Sequence, residues 1–164
     1  MYLIDSDVLI TAKNAYYAFD ICPGFWSSLL TAHAANKVHT LDRIRQELLQ
    51  GRSDDSLVQW VNGVAPASLF LNTQSADVTA AYTDIMLWVQ RNPVFYDHAK
   101  ARFAAGADGW LVAYAKVNGL VVVTNEQPRP AARNEIKLPD VCIQFGVTFQ
   151  NTFEMLRGLN VQYQ

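Results

Sequence analysis

Tyr2, Leu3 and Ile4 form an unbroken apolar run that stops at Asp5 and Asp7, the pattern of a short buried strand surfacing into two acids. Val8 to about Lys13 begin a helix that runs out near Tyr16, Tyr17 and Phe19. Pro23 is placed to open a second helix ending near Asn36, with Phe25, Trp26, Leu29 and Leu30 at the spacing of one apolar face. Val38 to Leu41 read as a second strand. A helix from Asp42 to Leu49 follows, with Gly51 as its expected C-cap.

After the cap signal Ser53-Asp54-Asp55, Leu57, Val58, Trp60 and Val61 predict a short helix ended by Gly63 to Pro66. From Ser75 to Arg91, Val78, Ala81, Tyr82, Ile85, Trp88 and Val89 keep the 3.6-residue period, with Asp77, Asp84 and Arg91 opposite. Pro93 starts a more polar segment through His98 and Arg102 to Ala105, expected to pack loosely or frame a groove. Ala107 to Val117 predict a helix stopped by Asn118-Gly119, and Leu120 to Val123 a fully covered parallel strand. A Pro- and Arg-containing loop through Ile136 precedes a helix opening at Pro139, a strand near Val147 to Phe149 and a last helix from Thr152 to Leu159. Alternating strands and helices predict an α/β fold with a central parallel sheet covered on both faces, as a single domain over 1–164.

Composition narrows the class. The 164 residues are 51% hydrophobic and only 17% charged, which excludes a disordered chain and suits one globular core. No apolar run approaches the roughly 18 to 20 residues that span a bilayer, and no basic leader precedes an apolar stretch, so a cytoplasmic protein with no membrane partner is expected. Cys22 and Cys142 match no metal-ligand spacing and are expected to be buried, reduced thiols. The formal charge of −2 leaves a nucleic-acid surface, if present, to a local basic patch.

Ligands of open α/β sheets bind just outside the carboxyl ends of the strands, where Asp5 and Asp7 fall; the same Asp-Ser-Asp also suits a helix N-cap. Glu47 follows the second strand, Asp108 opens the helix before the third, and Glu126 comes three residues after that strand. Taken separately, Glu47 pairs as well with Arg43 on a helix surface, Asp108 with a helix dipole, and Glu126 with solvent. If the strand ends cluster, these acids converge. Carboxylates about 4 Å apart repel by roughly 4 kcal/mol per pair at an effective dielectric near 20, which calls for a cation or a proton. Oxygen-only ligands favour Mg²⁺ or Mn²⁺.

The stretches YLIDSDVLI at 2–10, PGFWSSL at 23–29, IRQELLQG at 44–51, GADGWLVAYAK at 106–116, VVVTNE at 121–126 and IKLPDVC at 136–142 resemble, in order, those of PIN-domain proteins. They are most similar to the bacterial DUF4411 branch, close to VapC-type toxin ribonucleases. The resemblance implies a PIN-like three-layer α/β/α sandwich with a central, mostly parallel sheet of four to five short strands. It implies a metal-dependent endoribonuclease with Asp5, Glu47, Asp108 and Glu126 in the four acidic positions. Asp5, Asp108 and Glu126 would hold one or two Mg²⁺ or Mn²⁺ ions, supported by Ser6, Asp7, Thr124 and Asn125. Glu126 departs from the Asp common in the wider superfamily, and Asp7 stands where many relatives have a neutral residue. A small antitoxin blocking the acidic groove, and a homodimer, are the implied protein partners, with Phe25 and Trp26 as candidate exposed contacts.

For an RNA substrate, Lys100 and Arg102, and separately Arg129, Arg133 and Lys137, are candidate phosphate contacts, and Tyr96 and Trp110 candidate base-stacking residues. Ordinary solvated charges and core aromatics are the competing reading for all of them. His33, His39 and His98 share no ligand spacing. Two other functions compete: a degenerate PIN-like domain acting as a non-catalytic binding or regulatory module, and a phosphatase of the haloacid-dehalogenase type suggested by Asp5-x-Asp7. Leu9 stands where that phosphatase pattern expects Thr or Val.

Overall fold

A computed structural model describes residues 1–164 and shows five short strands: β1 (Tyr2–Ile4), β2 (Val38–Leu41), β3 (Phe70–Leu71), β4 (Val121–Val123) and β5 (Phe149–Gln150). They form one sheet in the order β3-β2-β1-β4-β5, and every neighbouring pair is parallel. The chain works outward from β1 to β3, then returns to the other side of β1 for β4 and β5. Its direction of winding reverses between β1 and β4, and a crevice opens there beyond the strands' carboxyl ends.

Right-handed crossovers then put the helices after β1 and β2 on one face and those leading to β4 and β5 on the other. The first layer holds α1 (Ser6–Thr11), α2 (Pro23–Ala34), α3 (Asp42–Leu48) and α4 (Ser56–Gly63), with α1 and α4 packed on α3 and α2 on β2. The second holds α5 (Ala76–Arg91), α6 (Asp97–Ala105), α7 (Asp108–Asn118) and α8 (Leu138–Phe145), built around α7 packed on α5. A last helix, α9 (Thr152–Gly158), follows β5. One hydrophobic core of 34 residues runs through sheet and helices, the α/β/α sandwich expected from the alternation.

Local chemistry accounts for the boundaries. Ser75 caps α5 by accepting the Val78 N–H, and Asp55 caps α4 from the Leu57 and Val58 N–H groups. Gly119 ends α7 at φ 65°, a left-handed conformation that favours glycine. Gly109 meets α5 so closely that an added Cβ would stand 3.0 Å from Tyr82 Cε2 and 3.3 Å from Phe103 Cε1.

Several expectations change. The first helix starts at Ser6 and passes at Ala12–Tyr16 into a π-helical turn closed by the Tyr17 N–H on the Ala12 carbonyl. Helix α3 ends at Leu48 with Leu49 as its C-cap, short of Gly51, and the two-residue strand β3 was not anticipated. The last strand lies two residues later than its apolar run because Phe149 and Gln150 are the residues in register with β4. Phe25 and Trp26 are buried, not exposed: Phe25 stacks on Tyr17 at 4.5 Å and Trp26 on Phe19 at 3.9 Å. They belong to the core and offer no contact for an antitoxin or second copy. Both cysteines are free; Cys142 is fully buried, Cys22 only half-buried. No helix is long and apolar enough to cross a membrane.

Candidate functional site

Asp5 extends β1 by one step, its N–H donating to the Val123 carbonyl at 2.9 Å. Its Oδ1 accepts the Ser6 N–H at 2.7 Å and so caps α1, while Oδ2 accepts the Thr124 hydroxyl at 3.3 Å. The helix-cap reading of Asp5 is therefore correct, and the cap leaves Oδ2 turned to Thr124. Asp7, two residues on, accepts the Asn125 N–H at 2.9 Å through Oδ2, and the Thr124 hydroxyl lies 3.4 Å from the same oxygen. Thr124 has one proton for two carboxylates. The other Asp7 oxygen is buried without a hydrogen-bond partner. Asn125 turns away, its Oδ1 accepting the Thr152 N–H and hydroxyl, so it fastens the end of β4 to α9.

Glu47 projects from α3 across the crevice. Its Oε2 accepts the Ser6 hydroxyl at 3.1 Å and its Oε1 the Ala107 N–H at 2.8 Å. Helix α7 has no capping side chain of its own, and Glu47 supplies that interaction from another layer. Arg43, the alternative partner of Glu47, is turned to Thr73 and lies over the Trp110 ring at 3.8 Å. Glu126 follows Thr124, whose hydroxyl oxygen accepts the Glu126 N–H, and its Oε2 accepts the Leu138 N–H at the start of α8 at 3.0 Å.

Glu47, Asp108 and Glu126 line one cleft of about 230 Å³ together with Arg102, Phe103 and Lys137. Asp5, 3% exposed, is not on its wall but buried within reach of the Asp108 charge. Glu47 also borders two smaller clefts, one lined by Lys13 and one by Arg43.

The charges press on one another. Burial, then the negative charges of Glu126, Glu47 and Asp7, push Asp108 up to about 7, only partly relieved by Lys137. Burial and the charges of Asp108 and Asp7 hold Asp5 well above the ordinary range, and burial raises Asp7 too. Below them, burial and the charges of Asp108 and Asp5 push the Cys142 thiol up to about 12, which keeps it protonated and unreactive.

Do these residues fit a cation? No three His, Cys, Asp or Glu side chains already stand at mutual ligating separation. Mg²⁺, however, needs only one or two carboxylates and completes its shell with water and phosphate oxygens. The donors are all hard oxygens, a buried Asp7 oxygen lacks any partner, and three acids carry raised proton affinities, from burial first and, for Asp5 and Asp108, from neighbouring negative charges as well. That donor set fits a divalent hard cation, with Asp108 and Glu126 facing the cleft and Asp5 behind them.

The remaining candidates separate. Arg102 and Lys137 reach the cleft; Lys100 is spent on the Gln90 carbonyl and Arg133 on the Val94 carbonyl and the Tyr96 ring. Trp110 is sandwiched between Tyr82, stacked at 3.8 Å, and Arg43, leaving neither face to a base. Tyr96 is exposed. His33 bonds Val38 and Ser68 while His39 is buried beside it, and both lie outside the cleft. Glu135, unnoticed in the sequence, lines the cleft between Arg129 and Lys137. Its place two residues from Arg133 and from Lys137, just before α8, was its only signal.

A family model described as a domain of unknown function, DUF4411, matches residues 2–163, nearly the whole chain. No curated protein matches it.

Proposed function

The chain belongs to the DUF4411 family, and we propose that it is a PIN-like, metal-dependent endoribonuclease hydrolysing RNA phosphodiester bonds. One observation carries the reading: Glu47, Asp108 and Glu126 come from three separate elements to a single cleft at the carboxyl ends of the strands, with Asp5 buried within reach of the Asp108 charge. Charges this costly to assemble are kept where a site uses them. Mg²⁺ or Mn²⁺, when bound, would lower the pKa of a water and stabilise charge on the phosphoryl oxygens.

The protein's own groups divide the remaining work. Asp108 and Glu126 would hold the ion, with Asp5 behind and Asp7 holding the Asp5–Thr124 corner in place. Glu47, fixed by Ser6 and Ala107, would orient the water. Arg102 and Lys137 would position the phosphate. The neighbouring clefts that share Glu47 would give a strand room to extend beyond the acids, as internal cleavage requires. The setting we propose, the toxin of a toxin–antitoxin pair in the cytoplasm with an antitoxin over this cleft, rests on the resemblance of the motifs to VapC-type toxins. Incubating total RNA with the protein in Mn²⁺ and in EDTA tests the activity. Fragments in Mn²⁺ alone are expected; an intact pool in both rejects it.

A second reading, a binding module that does not cleave, is favoured by the burial of Asp5 and by the absence of three already convergent ligands. Calorimetric titration with Mn²⁺ separates the two. A competent site takes up the ion in wild type and loses it in Asp108→Asn.

A further inference from the structure

The cleft presents an electrostatic difficulty for any polyanion. Glu47, Asp108, Glu126 and Glu135 line it against only Arg102 and Lys137. Lys137 is moreover engaged: its Nζ lies 3.2 Å from Glu135 Oε2, and the Arg129 guanidinium lies 3.0 Å from Glu135 Oε1. Arg129 is itself anchored through its backbone N–H on Asp140. One carboxylate is thus gripped by two cations at the cleft's edge, an arrangement that a phosphate group, with the same charge sign and oxygen acceptors, satisfies equally.

We propose that Lys137 and Arg129 form a phosphate-binding position for the polynucleotide strand, and that Glu135 occupies it as a carboxylate stand-in until substrate displaces it. The proposal rests on the ribonuclease reading for the identity of the strand. Side-chain exposure of 29% for Glu135 and 23% for Lys137 leaves both partly open to solvent, so Glu135 swings outward without breaking the core. Glu135 then opposes non-productive anion binding, and substrate entry exchanges one ion pair for another.

Binding of a fluorescent single-stranded RNA of about twelve nucleotides, measured by anisotropy in EDTA over a range of salt, tests this without any cleavage. Glu135→Gln is expected to bind about fivefold more tightly, with the log–log salt slope steeper by about 0.7, the increment for one more phosphate contact on a single strand. Adding Lys137→Met to it should abolish the gain. Asp84→Asn, the same charge change in a separate groove on α5, should have no effect. Equal affinity and slope for wild type and Glu135→Gln overturns the proposal, as does a gain that survives Lys137→Met or is matched by Asp84→Asn. Cleavage of the same RNA in Mn²⁺ keeps the two readings apart. Cleavage with no Glu135 effect removes this inference alone; a Glu135 effect without cleavage removes the ribonuclease alone.

Discussion

Glu47 Oε1 accepts the Ala107 N–H at 2.8 Å across 60 residues of sequence. That bond fastens α3 to the start of α7, the turn that carries Asp108. It makes Glu47 both a charge in the cleft and the clasp that places its neighbour.

Glu47→Ala leaves the Ala107 N–H without its acceptor and should cost about 1–3 kcal/mol in urea unfolding. Glu47→Gln keeps an oxygen for Ala107 and should stay within about 1 kcal/mol of wild type, while losing tenfold or more of any metal-dependent activity. Activity of Glu47→Gln equal to that of wild type would remove Glu47 from the chemistry.

Asp108 ionises near 3.8 in the unfolded chain and near 7 in the folded one. Between those values the folded state binds more protons, so stability falls as pH rises and the loss is complete above about 7. Asp5 and Asp7 shift in the same direction. In EDTA at about pH 8, Asp108→Asn should therefore be more stable than wild type by on the order of 2 kcal/mol. Mn²⁺ at about a hundred times its Kd should raise the wild-type Tm by roughly 5–10 °C. Thermal unfolding from about pH 5 to 8 checks both, and a metal-free wild type that gains stability over that range would contradict the first.

Gly109 admits α5 against α7, and the ring edges of Tyr82 and Phe103 leave no room for a methyl group. Tyr82 cannot easily yield, because it is stacked on Trp110. Gly109→Ala should cost about 1–3 kcal/mol and, by moving the first turn of α7, weaken metal binding as well. Denaturant unfolding and Mn²⁺ titration of the same protein read the two effects.

Part of this was legible in the chain because Asp5 and Thr124 directly follow the last residues of β1 and β4. Ile4-Asp5 and Val123-Thr124 needed only an apolar run that stops, and the parallel register then brings their ends together. Glu47 and Asp108 were legible as positions but not as partners, since their link passes through a backbone N–H that has no sequence signature. Strand β3, two residues long, is too short to show a period. The face of α2 bearing Phe25 and Trp26 reads alike whether it meets a partner or the core. Tyr17 and Phe19, folded back by the π-helical turn, decide for the core. The burial of Asp5, and the grip of Lys137 on Glu135, depend on tertiary placement alone.

The central claim, that the acids around Asp108 hold a metal that cleaves RNA, is met most directly by comparing wild type with Asp108→Asn on total RNA in Mn²⁺, with the cut ends mapped and the folding of both confirmed. The account predicts internal cleavage by wild type that EDTA abolishes and that a folded Asp108→Asn loses by a hundredfold or more, on the order of 3 kcal/mol of transition-state stabilisation. Undiminished cleavage by the folded variant would contradict it.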